Sequence, residues 1–228
     1  MPTIGIAAEG VTDQLFLQRV LLALLGDDAD IPVINFLQPA TPQAPGNWDR
    51  LLKYVATQRF RGAFEFNNFV VVQVDTDVCP NFTPPIPHTV NGAEVASERL
   101  IEQIRDCLIT QIDANAPGYY ETRKSQIIFA IAVHSIECWL LPIFCDHDDE
   151  RTRRSDCFDL LNERLRPLEL AIDRNHKGRG YSALMRSPKL RCLERDTIQQ
   201  ISAHNPGFAD FVAQVAYLTA PTTETKEP

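Results

Sequence analysis

Two almost uniformly apolar runs constrain the fold of this chain most. The runs are "NFVVVQVDTD" at 68–77 and "SQIIFAIAVHS" at 125–135. Neither shows the alternation of polar and apolar residues that is typical of a strand with one solvated face, so both are expected to be strands buried on both faces, as in parallel sheets. Shorter apolar runs at Thr3–Ala8 and Ile31–Leu37 predict two more strands. The core of the molecule is therefore expected to be a parallel sheet.

Segments with helical spacing of apolar residues separate these strands. They are predicted at Thr12–Leu25, Trp48–Arg59 and Ala93–Ile112, and Thr12 and Asp13 supply the N-cap chemistry of the first. Strands that alternate with helices imply right-handed crossovers. The sequence thus predicts an α/β fold: a Rossmann-like, doubly wound parallel sheet of about four strands flanked by helices.

The C-terminal third has a different pattern. After residue 147 the sequence contains little β-branched clustering and several helix-compatible stretches, such as "CFDLLNERLRPLELAI". We therefore divide the chain into an α/β domain at 1–147, a helical C-terminal extension packed on it at 148–217, and a disordered tail at 218–228.

Charge is distributed unevenly along the chain. The net charge of −8 argues against bulk electrostatic coating of nucleic acid. However, residues 151–195 carry twelve Lys and Arg against six Asp and Glu. This local excess indicates either a surface that faces a polyanion or a set of solvated basic side chains.

Other features of the composition bear on location and redox state. No apolar run approaches the ~20 residues of a membrane-spanning helix, and no basic segment precedes a hydrophobic one at the N-terminus. We expect no membrane partner and take the cytoplasm as the default location. The six cysteines form no CxxC pair, so we interpret them as reduced thiols, mostly in the core.

Four acidic residues fall at predicted strand ends. Glu9 ends the first strand, Asp75 and Asp77 end the third, and Glu137 follows the fourth. Open parallel sheets place their sites at the carboxyl ends of the strands, and residues two apart on a strand point to the same side. The four acids are thus candidates for one site, although each alone is also compatible with a turn or helix cap.

Clustered carboxylates repel one another unless a cation neutralises them. Ligands that are all oxygen favour Mg²⁺ or Mn²⁺. A rival zinc site would use "CDHDDE", with Cys145, Asp146 and His147, but a second Cys/His pair is lacking. His134 and His176 are further candidates, for which a role without metal is the simpler interpretation.

Motifs of the main rival chemistries are absent from the sequence. There is no GxGxxG, GxxxxGK[ST] or GxSxG. The sequence therefore does not favour a dinucleotide site, a P-loop or a serine hydrolase.

The order of these motifs resembles the TOPRIM domain, in which a strand ends in Glu-Gly and a later strand ends in Asp-x-Asp. Here the matching segments are "AAEGVTD" and "VVVQVDTD". With "IECWLL" at 136–141 and "NPGFADFVAQV" at 205–215, the chain looks most like the small TOPRIM-like proteins of bacterial defence loci. These proteins are related to the nuclease domain of the OLD family and are often encoded beside an ATPase, as in PARIS-type systems.

The resemblance implies a metal-dependent phosphodiester cleavage. Asp75 and Asp77 would hold Mg²⁺ or Mn²⁺, Glu9 would be a ligand or the general acid/base, and Glu137 would be a further acidic ligand. OLD-like nucleases also use a basic residue near the phosphate. Here the candidate catalytic lysine is Lys177, or else Lys189.

The resemblance also implies a biological setting. The expected activity is that of an endonuclease effector or toxin in antiphage defence, acting on DNA or RNA, including tRNA, and controlled by an ABC- or AAA-type ATPase. A homodimer is compatible with the sequence. The alternatives are a catalytically silent TOPRIM-fold subunit that docks on an ATPase, and a different metal-dependent phosphotransfer enzyme.

Overall fold

The centre of the protein is a four-stranded parallel sheet with the strand order β2-β1-β3-β6. The computed structural model describes residues 2–26, 31–41, 46–174 and 177–219. The strands are β1 (Thr3–Ala7), β2 (Val33–Gln38), β3 (Phe69–Asp75), β4 (Thr89–Val90), β5 (Ala93–Glu94) and β6 (Ile127–Ala132). Strands β4 and β5 form a separate antiparallel hairpin. The α/β, Rossmann-like prediction is confirmed.

Helices cover both faces of the sheet. They are α1 (Val11–Leu25), α2 (Trp48–Val55), α3 (Gln58–Gly62), α4 (Ser97–Asp113), α5 (Tyr119–Arg123), α6 (Glu137–Phe144), α7 (Asp148–Arg151), α8 (Cys157–Leu165), α9 (Lys177–Met185), α10 (Pro188–Arg191), α11 (Arg195–Ser202) and α12 (Pro206–Thr219). Short 3₁₀ turns occupy Ala63–Glu65, Thr76–Asn81 and Arg166–Leu168.

Each face of the sheet has its own hydrophobic core. Helices α2, α3 and α4 pack on one face. Helices α1, α6 and α8 to α12 share the core on the other face. In that second core the Trp139 ring stacks on Phe208, with 4.7 Å between the ring centroids. The C-terminal helices therefore complete the second core instead of standing apart from the sheet.

Helix α12 also covers the free edge of β6. The side-chain amide of Gln214 accepts a hydrogen bond from the Phe129 N–H (2.9 Å) and donates one to the Phe129 carbonyl (3.0 Å). An uncovered edge strand exposes unpaired backbone groups that invite pairing with another chain. Gln214 satisfies one such pair of groups on this edge.

Two predicted helices have different bounds in the structure. The helix predicted at Trp48–Arg59 is two helices, because the Thr57 side chain caps a new one by accepting from the Phe60 N–H at 3.3 Å. The helix predicted from Ala93 begins at Ser97. Residues 93–94 pair instead with 89–90 across a turn in which Asn91 and Gly92 both have positive φ.

The expectation of reduced thiols is wrong for two of the six cysteines. Cys138 and Cys157 form a disulfide that joins the first turn of α6 to the first turn of α8. Of the remaining four, Cys79 and Cys145 are buried, whereas Cys192 is exposed.

Helix α12 is the last element of the described chain. Helix α12 continues through Thr219, and the rest of the expected disordered tail, 220–228, lies outside the described residues. No helix in the described part of the chain has both the length and the apolar character needed to cross a membrane.

Candidate functional site

Glu9 and Asp75 are tied together at the carboxyl end of the sheet. The Glu9 carboxylate accepts a hydrogen bond from the Asp75 N–H at 2.7 Å. The Gln73 side chain joins both acids, accepting from the Glu9 N–H at 3.2 Å and donating to the Asp75 carboxylate at 2.7 Å. The contact follows from the fold because β1 and β3 are neighbours, with Ala7 opposite Val72.

Asp13 is a fifth acid at this site, and the sequence analysis missed it. We predicted an N-cap role for Thr12 and Asp13, but the N-cap of α1 is Gly10, and Asp13 accepts from the Gly10 N–H at 2.8 Å. Asp13 is nevertheless only 7% exposed, and its charge interacts with that of Glu137. The available signal was its place within the "EGVTD" segment, which a capping interpretation had already explained.

Asp77 occupies a different kind of position from Asp75. Strand β3 ends at Asp75, and Asp77 lies in the 3₁₀ turn that follows. Strand periodicity therefore does not place the Asp77 side chain on the same side as that of Asp75. Its position is fixed instead by the loop after β6, since its N–H donates to the His134 carbonyl at 3.0 Å while the His134 N–H donates to the Thr76 hydroxyl at 2.7 Å.

Glu137 and Lys177 form an ion pair within the site. The Lys177 ammonium nitrogen lies 2.8 Å from the Glu137 carboxylate. The Lys177 side chain is 40% exposed, whereas that of Glu137 is 3% exposed. Lys177 begins α9, so the C-terminal helices bring this cation to the sheet. The other candidate, Lys189, is not brought to the acids: it donates to the Ile143 carbonyl at 3.2 Å and its ammonium lies near the Phe144 ring.

Burial raises the pKa values of four of the five acids. Burial raises the pKa of Glu9 to about 8, which the hydrogen bond from Asp75 opposes and the charge of Asp13 reinforces. Burial, followed by the charge of Glu137, raises the pKa of Asp13 to about 7. Burial and the charge of Glu9 hold the pKa of Asp75 well above its usual value, and burial also raises the pKa of Asp77.

Glu137 is the exception among the acids. Its burial acts to raise its pKa, but the charge of Lys177 and the hydrogen bond between them outweigh this effect and leave the pKa below its ordinary value. Burial acts to lower the pKa of Lys177, whereas Glu137 first and then Asp13 and Asp75 raise it. At neutral pH the site therefore contains a fixed ion pair beside acids that resist ionisation.

A buried hydroxyl lies beside the acids. The Tyr181 side chain is 0% exposed, and its hydroxyl interacts with the Glu137 carboxylate, although no described partner lies at full hydrogen-bond geometry. Burial raises its pKa well above the usual value, and the charges of Glu137, Asp13 and Asp75 add to this effect. An unsatisfied polar group beside carboxylates is typical of a position that a water or ligand oxygen completes.

We call Glu9, Asp13, Asp75, Asp77 and Glu137 the acidic cluster. Within the described ranges, no three His, Cys, Asp or Glu side chains are arranged to hold a metal ion. Protein donors hold four of these carboxylates instead, namely the Asp75 N–H, Gln73, Lys177 and the Gly10 N–H. The chemistry of the cluster nevertheless fits Mg²⁺ or Mn²⁺. Its acids offer a metal ion only carboxylate oxygens as ligands, and a divalent cation would relieve the repulsion between them.

The remaining sequence candidates lie elsewhere or cannot be placed. His147 precedes helix α7 and is exposed with Asp146, whereas Cys145 is buried. His134 lies beside Thr76 and Asp77, next to the acidic cluster. His176 lies outside the described residues.

Comparison of the chain with protein-family models, with curated proteins and with solved structures found no match. The function must therefore be argued from the site itself. That site combines five carboxylates, one lysine and one buried tyrosine hydroxyl at the carboxyl end of a parallel sheet, where ligands of open α/β sheets bind.

Proposed function

We propose that this protein is a Mg²⁺-dependent endonuclease with a TOPRIM-like active site formed by the acidic cluster. The observation that carries the proposal is the convergence of five acids from three separate segments of the chain, 9–13, 75–77 and 137, around Lys177. Crowding carboxylates together in a partly buried site lowers stability. Shifted pKa values of this kind concentrate at functional sites.

The acids divide into two groups by their present partners. Glu9, Asp13 and Asp75 have raised pKa values, and no cation among the described residues is paired with them by a short contact. They would hold the metal ion, with Asp77 at the more exposed side. A bound Mg²⁺ would polarise the scissile phosphate and lower the pKa of a water nucleophile. Rotation of these side chains away from their protein donors is required for them to ligate an ion together.

Lys177 and Tyr181 lie beside the acidic cluster, where they would contact the phosphate of the substrate. Lys177 is held at the cluster by Glu137 and is partly exposed, so it can approach a phosphate oxygen while remaining paired. Tyr181, whose hydroxyl lies beside Glu137 without a partner at full hydrogen-bond geometry among the described residues, can donate to the same phosphate or to a metal-bound water. Glu137 then acts as a positioning residue for Lys177, as well as a candidate ligand.

The substrate and the partner follow from resemblance and charge. The excess of basic residues within 151–195, which includes Lys177, supports a polyanionic substrate such as DNA or RNA, including tRNA. The likeness to defence-associated TOPRIM-like proteins supports an effector role in antiphage defence under the control of an ATPase.

The test is cleavage of plasmid DNA and of total RNA with Mg²⁺ or Mn²⁺, against EDTA. The wild type and Glu9→Gln are compared, each with and without the candidate ATPase. We expect metal-dependent cutting that Glu9→Gln reduces at least about 100-fold, since removal of a group that stabilises transition-state charge has effects of this size.

The matched control is Glu65→Gln. Glu65 is exposed and lies in the 3₁₀ turn before β3, at the opposite end of the strands. It should cut like the wild type. Cutting by Glu9→Gln at the wild-type rate would overturn the assigned site. A folded wild type that cuts nothing in any condition and binds no Mn²⁺ would overturn the nuclease and favour a silent subunit that docks on an ATPase.

A further inference from the structure

A polar cavity adjoins the acidic cluster on the side of Asp77. Its volume is about 440 Å³, and it lies between the turn after β3, the loop after β6, the β4–β5 hairpin and the start of α4. We infer that this cavity binds one unpaired nucleotide of the substrate, next to the phosphate that is cut. The inference rests on the proposed function for the identity of the substrate, but its geometry is independent of the acids.

The walls of the cavity differ in character. Val95, Leu100 and Val133 form an apolar part, and His88, Arg154 and the carboxylate of Glu94 contribute to a polar part. A nucleotide has the same division, because its base offers an apolar face and its phosphate carries the negative charge. The cavity thus matches one nucleotide in both its chemical halves.

Arg154 supplies the positive charge. It is the one Lys or Arg side chain among the residues that line the cavity, and its guanidinium donates to the Ser97 hydroxyl. No described carboxylate forms an ion pair with it, although most of the neighbouring basic residues of the 151–174 segment have one. A guanidinium that is anchored by a neutral partner keeps donors available for a phosphate.

The two histidines are fixed on the cavity wall by main-chain contacts. The His88 Nε2 lies 2.7 Å from the Thr76 carbonyl, which only accepts, so this nitrogen carries a proton. His134 has a left-handed backbone, with φ of +68°, and is held by the Thr76 hydroxyl. The ring centroids are 5.8 Å apart. The same Thr76 therefore holds the His88 ring and the His134 main chain, and it precedes Asp77, which links the cavity to the acidic cluster.

The size of the cavity decides between paired and unpaired substrates. Small-ligand pockets span about 300 to 1,000 Å³, so this volume admits one nucleotide. A base within a duplex is stacked and paired and cannot enter a pocket of this size without being extruded. Single-stranded DNA and RNA share the chemistry that the cavity recognises, and the experiment separates them.

The experiment measures binding apart from cleavage. Fluorescent 12-mers of single-stranded DNA, single-stranded RNA and duplex DNA are titrated with the full chain in Ca²⁺, and cleavage of the same oligonucleotides is followed in Mg²⁺. The variants are Arg154→Gln, which removes the charge, and Val95→Trp, which fills the apolar part. The matched control is Arg99→Gln, an exposed arginine of α4 that pairs only with Glu102 among the described acids.

We expect a single strand of DNA or of RNA to bind at least tenfold more tightly than the duplex. Arg154→Gln should weaken that binding about tenfold, the loss expected for one hydrogen bond to a charged group. Val95→Trp should weaken it as well, because the indole fills the space that the base would occupy, while Arg99→Gln should change it less than twofold. Thermal melting identifies any variant that fails to fold, and the other variant then decides.

The outcomes separate this inference from the proposed function. Cutting by the wild type with binding that neither variant weakens overturns the cavity and leaves the nuclease. Single-strand binding that both variants weaken, without cutting in any condition, overturns the nuclease and leaves the cavity. Equal binding of duplex and single strands, or no binding by the wild type, overturns the cavity.

Discussion

The two ends of the same strands satisfy their polar groups in opposite ways. At the amino end, neutral side chains complete one another: Thr3 and Asn68 exchange hydrogen bonds of 2.8 and 3.1 Å, and the Asn67 amide donates to the Ala63 carbonyl and accepts from Asn35, both at 2.8 Å. At the carboxyl end, five acids gather around one lysine. The polar side chains named at the amino end thus pair with one another and carry no charge. The carboxyl end differs because its acidic side chains outnumber the lysine that pairs with them.

The largest stability effect is expected from loss of the one cation. Lys177→Met leaves Glu137 buried and unpaired among other acids, so the free energy of unfolding should fall by about 2 to 3 kcal/mol at pH 8, toward the low end for a broken buried pair because the lysine is partly exposed. Urea denaturation measures it. Lys189→Met, which removes a lysine outside the cluster, should cost less than about 0.5 kcal/mol. Equal losses for the two would contradict the electrostatic account.

A smaller loss is expected at the amino end. Asn67→Ala removes a buried amide that makes two hydrogen bonds, and it should lower the free energy of unfolding by about 1.5 kcal/mol. Because no titratable group takes part, the loss should be the same at pH 6 and pH 8. A loss that changed between these pH values would show that the two ends of the strands are coupled.

The smallest effect should have the opposite sign. Asp13 and Glu9 hold protons more tightly in the folded protein than in the unfolded chain, so unfolding releases protons between the ordinary carboxyl pKa near 4 and their raised values of about 7 and 8. Stability should therefore fall as the pH rises through this window. Asp13→Asn, which keeps an oxygen for the Gly10 N–H, should raise the free energy of unfolding by about 1 kcal/mol at pH 8.

The same variant should bring little gain at pH 4, where Asp13 is protonated in the folded protein. Urea denaturation across the pH range is again the measurement. A variant whose stability parallels that of the wild type from pH 4 to pH 8 would show that Asp13 carries no electrostatic cost.

The sheet was predictable because burial on both faces leaves a simple signal. Unbroken apolar runs such as 127–132 have few alternatives to a central strand, and acids that directly follow them fall at the carboxyl end by topology alone. The helix bounds near residues 57 and 93 were harder to predict, since a threonine cap and a two-residue turn override helical periodicity there.

The rest of the site depended on contacts between distant parts of the chain. Asp13 was interpreted as part of the N-cap of the first helix, a role that accounts for an acid at that position without any site. Lys177 was one of several basic residues in its segment, and only the packing of α9 brings it to Glu137. The Cys138–Cys157 pair, 19 residues apart, follows no recognisable spacing, because the packing of α6 on α8 determines which cysteines meet.

The order in which the site residues occur along the chain has a consequence for biosynthesis. Glu9, Asp13, Asp75 and Glu137 precede Lys177, the cation paired with Glu137, by 40 residues or more. A chain still emerging from the ribosome therefore carries the acids before the helix that supplies their counter-charge, and the cluster is complete only after α9 has been made. Synthesis itself thus delays assembly of the site until α9 has been made and has packed against α6 and the sheet.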